Sequence, residues 1–317
     1  MRLVSLAALV LAAIALAACG SGGDQGGDQA VVVALDFTPN AAHAPIYEAV
    51  RRGFDRDRGV RIQIRAPGSA PDSLKLLAAG RVDLGVLDIQ DLALARARGA
   101  DLVGVAALVQ RPLGAIIAQP GIHRPRDLAG HRVGVSGLPS DPAFLRAIVE
   151  GDGGDFSSLD LLTIGFAAVP NLIQKKVDAV PAFWNAEGVT LRRRGVPVRI
   201  FRVENYGAPR YPEVVLVTSR RTLERRRKAI VSTLQAIGAG TRSVLADPGP
   251  VVARIADAGA TDPGLVRAQL AAIRPALSPP LTLDRTVLRK WAAWDAEHHL
   301  LPREPDIDST FTGPYLR

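Results

Sequence analysis

The 317-residue sequence is 48% hydrophobic and 22% charged, with a formal net charge of +8. That balance belongs to an ordinary globular protein and excludes a largely disordered or collagen-like chain. A single Cys excludes a disulfide framework, a Cys-based zinc site and an iron–sulfur cluster, and five His without paired metal spacing argue against a metalloenzyme.

The chain opens with Arg2 and an apolar run over residues 3–18. This is shorter than the roughly 20 residues of a spanning helix. A positive start, a short apolar run and small residues at its end predict a secretory signal over 1–18. No other segment is continuously apolar, which excludes a multi-span membrane protein. Residues 19–29 are polar and Gly-rich and predict a flexible tether.

Residues 30–35 are a β-branched apolar run and predict a buried strand. After a break at 36–40, residues 41–52 predict a helix. A strand over 60–64 follows, then a helix over 69–79 with Ser69 or Asp72 as its cap. A strand over 82–87, a helix over 89–98 and strands over 102–109 and 114–118 complete the first unit. This alternation predicts a parallel sheet covered by helices on both faces.

The pattern restarts after Gly121. A turn or short helix at 125–130 precedes a strand over 132–136. Residues 142–150 predict a helix, with Asp141 at its cap and Pro142 at its first position. Strands over 161–164, 178–181 and 199–203 alternate with helices over 169–175 and 186–194. A strand over 213–218 returns, and 222–246, 248–258, 263–273 and 284–298 are mainly helical.

Two α/β units in one chain predict a bilobed protein: residues 30–116 with 214–317 in one lobe, 117–213 in the other. The chain would cross near 115–119 and again near 213–218, and paired crossings of that kind make a hinge that closes on a ligand. Ligands in open α/β sheets lie beyond the carboxyl ends of strands. The loops to examine are therefore 36–43, 67–69, 88–90, 136–141 and 183–187.

At these loops the chain resembles a known family. Leu35-Asp36-Phe37-Thr38-Pro39-Asn40-Ala41-Ala42-His43 is similar to the Leu-Asp-Trp-x-Pro-Asn-x-x-His signature of thiamine-pyrimidine-precursor binding proteins, with Phe37 in place of the usual Trp. Those belong to a larger group of periplasmic proteins that bind alkanesulfonates, taurine and nitrate for ABC importers. The segments 77–86, 127–134 and 182–188 match in the same order, so the resemblance spans roughly residues 31–301. It implies an α/β fold of the type II periplasmic binding class, with two lobes and a hinge of two crossovers. Leu16-Ala17-Ala18-Cys19 likewise resembles the bacterial lipobox. That implies a Cys19 diacylated through its sulfur, and lipid chains there anchor an exported domain without a membrane-spanning helix.

The ligand so implied is a small, flat heteroaromatic. It asks for aromatic plates and a few convergent donors and acceptors. Trp184 is the candidate plate, with Phe37 or Tyr47 opposite. Asn40 donates and accepts through its amide or caps the helix at 41, and His43 does either according to its tautomer. Asn185 and Glu187 rim the plate, and Glu187 accepts from an exocyclic amine or serves as a first-turn helix charge. Asp36 is a further acidic group at a strand end. Asp88 and Gln90 follow another strand, and Ser136 opens a loop before a helix N-terminus suited to a carbonyl or an anion. The basic runs 192–194 and 225–228 read as solvated helix faces, and without interleaved aromatics they exclude nucleic-acid binding. Trp291 and Trp294, at i and i+3, read as core.

These expectations add up to a monomeric, exported receptor that needs no cofactor or metal and hands its ligand to an ABC permease. The alternatives are a riboflavin, sulfonate or nitrate receptor, a pyrimidine-synthase-like enzyme, and a sensor or adhesion lipoprotein on the same fold. Replacing Cys19 by Ala should move the protein out of the membrane fraction. Unchanged membrane association would overturn the anchor.

Overall fold

The computed structural model describes residues 28–317; the apolar leader, Cys19 and the tether up to residue 27 lie outside the described residues. The chain runs β1 (Gln29–Ala34), α1 (Ala44–Arg51), β2 (Val60–Arg65), α2 (Asp72–Ala78), β3 (Leu84–Asp88), α3 (Ile89–Ala97), β4 (Leu102–Val109) and β5 (Gly114–Ala118). It continues through β6 (Arg132–Val135), α4 (Asp141–Gly151), β7 (Asp160–Thr163), α5 (Ala168–Ile173), β8 (Ala179–Phe183), α6 (Glu187–Arg193) and β9 (Arg199–Arg202). Then come β10 (Val214–Ser219), α7 (Arg220–Ala246), α8 (Gly249–Ala258), α9 (Pro263–Ile273), α10 (Arg285–Glu297) and α11 (Ile307–Thr310).

The strands form two five-stranded sheets, β2-β1-β3-β10-β4 and β7-β6-β8-β5-β9. Neither is wholly parallel, which corrects the expectation from strand–helix alternation. β10 runs antiparallel to β3 and β4, and β5 runs antiparallel to β8 and β9. Both antiparallel strands are crossing strands, entering each sheet from the other half of the molecule. β5 pairs only within the second sheet, so the first crossing lies at 110–113, ahead of the expected 115–119.

Side chains alternate across each strand, and both faces of the first sheet are buried. Val214 and Leu216 of β10 pack on the face covered by α1, α7, α8 and α9, while Val215 and Val217 pack on the face with α3, α10 and α11. All eight residues of β4 are buried, so it reads as a continuous apolar run. Trp291 and Trp294 lie in this core, as their spacing suggests. One residue of the basic run at 225–228 leaves the solvated face: α7 is kinked at Arg226, whose guanidinium pairs with Asp83 and the Ala30 carbonyl.

Two capping expectations are corrected. Neither Ser69 nor Asp72 caps α2; the Asp72 carboxylate accepts from Gly68 N–H and Ser69 N–H at 2.7 and 2.8 Å and closes the preceding turn. Asp141 does not cap α4 either; its Oδ2 accepts from Ser136 Oγ, Gly137 N–H and Leu138 N–H at 2.9, 2.9 and 3.1 Å.

α1 and α7 approach most closely at Gly240, where a Cβ would lie 2.1 Å from the Pro45 carbonyl oxygen. At Gly238, one turn-half earlier, the nearest atom to an added Cβ is the Tyr315 hydroxyl at 4.0 Å. Gly240→Ala should therefore cost about 1–3 kcal/mol by overpacking. Gly238→Ala should be neutral or gain up to about 1 kcal/mol from helix propensity. Denaturant melts of the two variants check this contrast.

Candidate functional site

A cavity lies where the two sheets face each other, at the carboxyl ends of β1, β3, β6, β7 and β8. This is the position at which open α/β sheets bind ligands. Asp36, Phe37 and Asn40 enter it from the loop after β1, and Asp88, Gln90 and Asp91 from the β3–α3 junction. Ser136, Leu138, Ser140, Asp141 and Phe144 come from the β6–α4 segment. Ile164, Gly165 and Phe166 follow β7, Phe183 and Glu187 follow the β8 turn, and Glu213 stands ahead of β10. The cavity encloses about 110 Å³.

Among the described residues, six carboxyls line it and no Lys, Arg or His does. Burial pushes Glu187 and Glu213 up to about 7, and Asp91 likewise. Burial also raises Asp141, and Asp88 is held well above the usual carboxylate range by burial and by the neighbouring Glu213, Asp91, Asp36 and Asp141. Several backbone donors are already engaged. Asp91 Oδ1 accepts from Ser140 N–H at 3.2 Å across the cleft, and Glu187 accepts from Phe183 N–H at 3.2 Å. The loop ahead of α4, expected as a seat for a carbonyl or an anion, thus has its N–H groups held by Asp141 and Asp91.

The aromatic walls differ from expectation. Phe37 lines the cavity and meets Phe166 edge-on, ring centroids 4.5 Å apart, from the opposite half. Phe144 and Phe183 are further aromatics in the wall. Trp184 is not a lining residue. Its indole N–H donates to the Pro112 carbonyl at 3.2 Å and Arg202 stacks on its ring at 4.0 Å. Phe183, the last residue of β8, lines the cavity, whereas Trp184, the first residue beyond it, is tied to the outgoing crossing.

Tyr47 packs in the core of the first half, and Asn185 is fully buried outside the lining with both amide atoms unpartnered. His43 is fully buried and acts on the cavity at one remove. Its Nδ1 accepts from Asn40 N–H at 3.2 Å, which leaves the proton on Nε2 to donate to Asp36 Oδ1 at 2.7 Å. His43 therefore orients the Asp36 carboxylate. Asn40 caps the turn at 41–43 through Ala42 N–H and also lines the cavity.

The profile of the family described as NMT1/THI5 like matches residues 40–250. The chain belongs to the NMT1/THI5-like family. A formylaminopyrimidine-binding protein of Halalkalibacterium halodurans is 31% identical over 229 residues, covering 71% of this chain and 69% of that one. A 4-amino-5-hydroxymethyl-2-methylpyrimidine phosphate synthase of Saccharomyces cerevisiae is 25% identical over 240 residues, covering 68% and 66%. The fold is that of the alkanesulfonate-binding protein SsuA of Xanthomonas axonopodis pv. citri, with a TM-score of 0.73 at 18% identity, covering 91% of this chain and 99% of that one.

In this NMT1/THI5-like chain, Glu213 joins cavity to hinge. Its Oε2 accepts from Leu113 N–H at 2.6 Å and Gly114 N–H at 3.0 Å, and from the Tyr211 hydroxyl at 3.4 Å. One carboxylate on the returning crossing therefore holds the outgoing one. Sequence reading missed Glu213, as well as Phe144 and Phe166, because nothing local distinguishes them from core or strand-end residues.

Raised folded-state carboxyls tie stability to pH. The unfolded chain releases these protons near pH 4.5, whereas the folded chain keeps those of Glu187 and Glu213 to about 7. Stability therefore falls as pH rises through that window. The ligand-free protein should melt a few degrees higher at pH 5.5 than at pH 8, and Glu187→Gln should narrow the gap. A melting temperature that rises from pH 5.5 to pH 8 would contradict this.

Proposed function

We propose that this chain is the solute receptor of an ABC importer. It captures a thiamine pyrimidine precursor, hydroxymethylpyrimidine or formylaminopyrimidine, between its two α/β halves and delivers it to the permease. The observation that carries the reading is the make-up of the cavity, phenyl rings and carboxyls at strand ends with no cationic side chain. A flat amino-substituted ring meets the phenyl walls with its faces and edges and the carboxyls with its amino hydrogens.

A sulfonate or nitrate calls for Arg or free N–H groups at a helix N-terminus. Here the N–H groups ahead of α4 are taken by Asp141 and Asp91. The name of the Halalkalibacterium halodurans relative supports the ligand class. The lipobox at 16–19 supports export and attachment through Cys19 to the outer face of a membrane, with the receptor acting as a monomer. Among the described residues no helix is long and apolar enough to cross a membrane.

Calorimetric titration with hydroxymethylpyrimidine, its formylamino relative, riboflavin and taurine tests this. One of the pyrimidines should bind with a stoichiometry of one and be recovered unchanged. Phe37→Ala should lose about 1–3 kcal/mol, roughly 5- to 150-fold in affinity, the range for stacking on an aromatic side chain. Trp184→Ala should instead lower the melting temperature, because it removes the tie to Pro112. Binding of taurine alone would overturn the ligand class, and conversion of the pyrimidine would overturn the receptor reading in favour of an enzyme.

A further inference from the structure

We infer that the cavity holds its ligand as a cation, an amino-substituted heteroaromatic protonated on a ring nitrogen, with Asp88 as its counter-ion. This rests on the receptor reading above and specifies the charge state that the same site selects.

Asp88 stands at the N-cap of α3, yet its carboxylate makes no capping bond and lines the cavity instead. Asp91 of its own junction and Glu213, Asp36 and Asp141 from three other segments are the charges that face it. The cationic or titratable partners of those groups point elsewhere. Arg98 acts on Asp91 from the end of α3, His43 is bound to Asp36, Tyr211 donates to Glu213, and Glu187 faces Asp36 across the cleft. Among the described residues, no positive group enters the cavity to balance the carboxyls.

A second observation points to the same ligand. The side chain of Gln90, 4% exposed, lines the cavity beside the buried Tyr211 hydroxyl, and its Nε2 has no acceptor in good hydrogen-bond geometry. A buried donor without an acceptor is costly and marks a partner that the ligand supplies. An aminopyrimidinium carries N–H donors on its ring nitrogen and amino group, and its other ring nitrogen still accepts. Asp88 and Gln90, two residues apart at the β3–α3 junction, offer the complementary acceptor and donor. The Phe37 and Phe166 rings add an aromatic surface that favours a cation over a neutral ring. The carboxyls are not arranged as a metal site: among the described residues, no group of three or more His, Cys, Asp or Glu is placed to hold a metal ion.

The proton is present before the ligand arrives, because burial keeps carboxyls of this cluster protonated near neutral pH. On binding, a carboxyl O–H bond breaks and a ring N–H bond forms. The carboxyl becomes a carboxylate and the ring becomes a cation, so the total charge of the cavity is unchanged.

The test is nitrogen NMR of hydroxymethylpyrimidine labelled with nitrogen-15 in the ring, bound to the protein at a pH where the free ring is neutral. The bound ring nitrogen should resonate at the protonated position. Asp88→Asn should weaken binding about 10- to 100-fold, the loss of a charge-assisted hydrogen bond. The variant should stay folded, since it removes a repelled charge, and its melting temperature should match or exceed that of the parent. A bound ring nitrogen at the neutral position, or an Asp88→Asn variant that binds as tightly as the parent, overturns the cation while leaving the pyrimidine receptor in place. Failure of any pyrimidine to bind overturns both.

Discussion

Six carboxyls share one cavity, and like charges this close in a poorly hydrated cleft cannot all be ionised. Burial, with repulsion between neighbouring carboxyls added to it, keeps protons on Asp88, Asp91, Glu187 and Glu213 at pH values where an exposed carboxyl has lost them. A cleft lined in this way favours groups that bring N–H donors and disfavours an anion.

The fold supplies the geometry that makes this tolerable. Five strands end at the cavity with their carboxyl ends, and each delivers a loop or a first helical turn to its wall. Neighbouring backbone amides are then aimed at the acids: Asp141 gathers the donors of its own loop, Asp91 reaches the opposite half through Ser140, and Glu213 takes two amides from the other crossing. Glu213 therefore belongs both to the cavity wall and to the paired crossings between the two sheets.

Much of this was legible in the residues. β4 and β5 were bounded correctly because runs of apolar residues between Gly, Pro and charged breaks leave little freedom. The loops at 36–43, 67–69, 88–90, 136–141 and 183–187 stand out because ligands sit beyond strand ends; all but 67–69 contribute residues to the wall. Other parts were not legible. The sheet to which β5 belongs depends on a pairing with β8 and β9 that no local pattern encodes. Trp184 reads as the plate because it is the largest aromatic of its segment, whereas its indole is tied to the Pro112 carbonyl and the neighbouring Phe183 lines the wall. Asp141 looked like a cap, since an acid before Pro142 favours that role, but its carboxylate turned to the loop before it. His43 was recognised as polar and important, while its orienting role toward Asp36 needed the three-dimensional distance of 2.7 Å.

The membership of the NMT1/THI5-like family spans proteins named for binding and proteins named for synthesis, so the ligand that the cavity holds decides between accounts more directly than the fold does. The decisive measurement is mass spectrometry of small molecules released on denaturation from protein purified without added ligand. The account predicts an unmodified aminopyrimidine in a molar ratio approaching one. Release of a sulfonate, a nitrate or a flavin would contradict it.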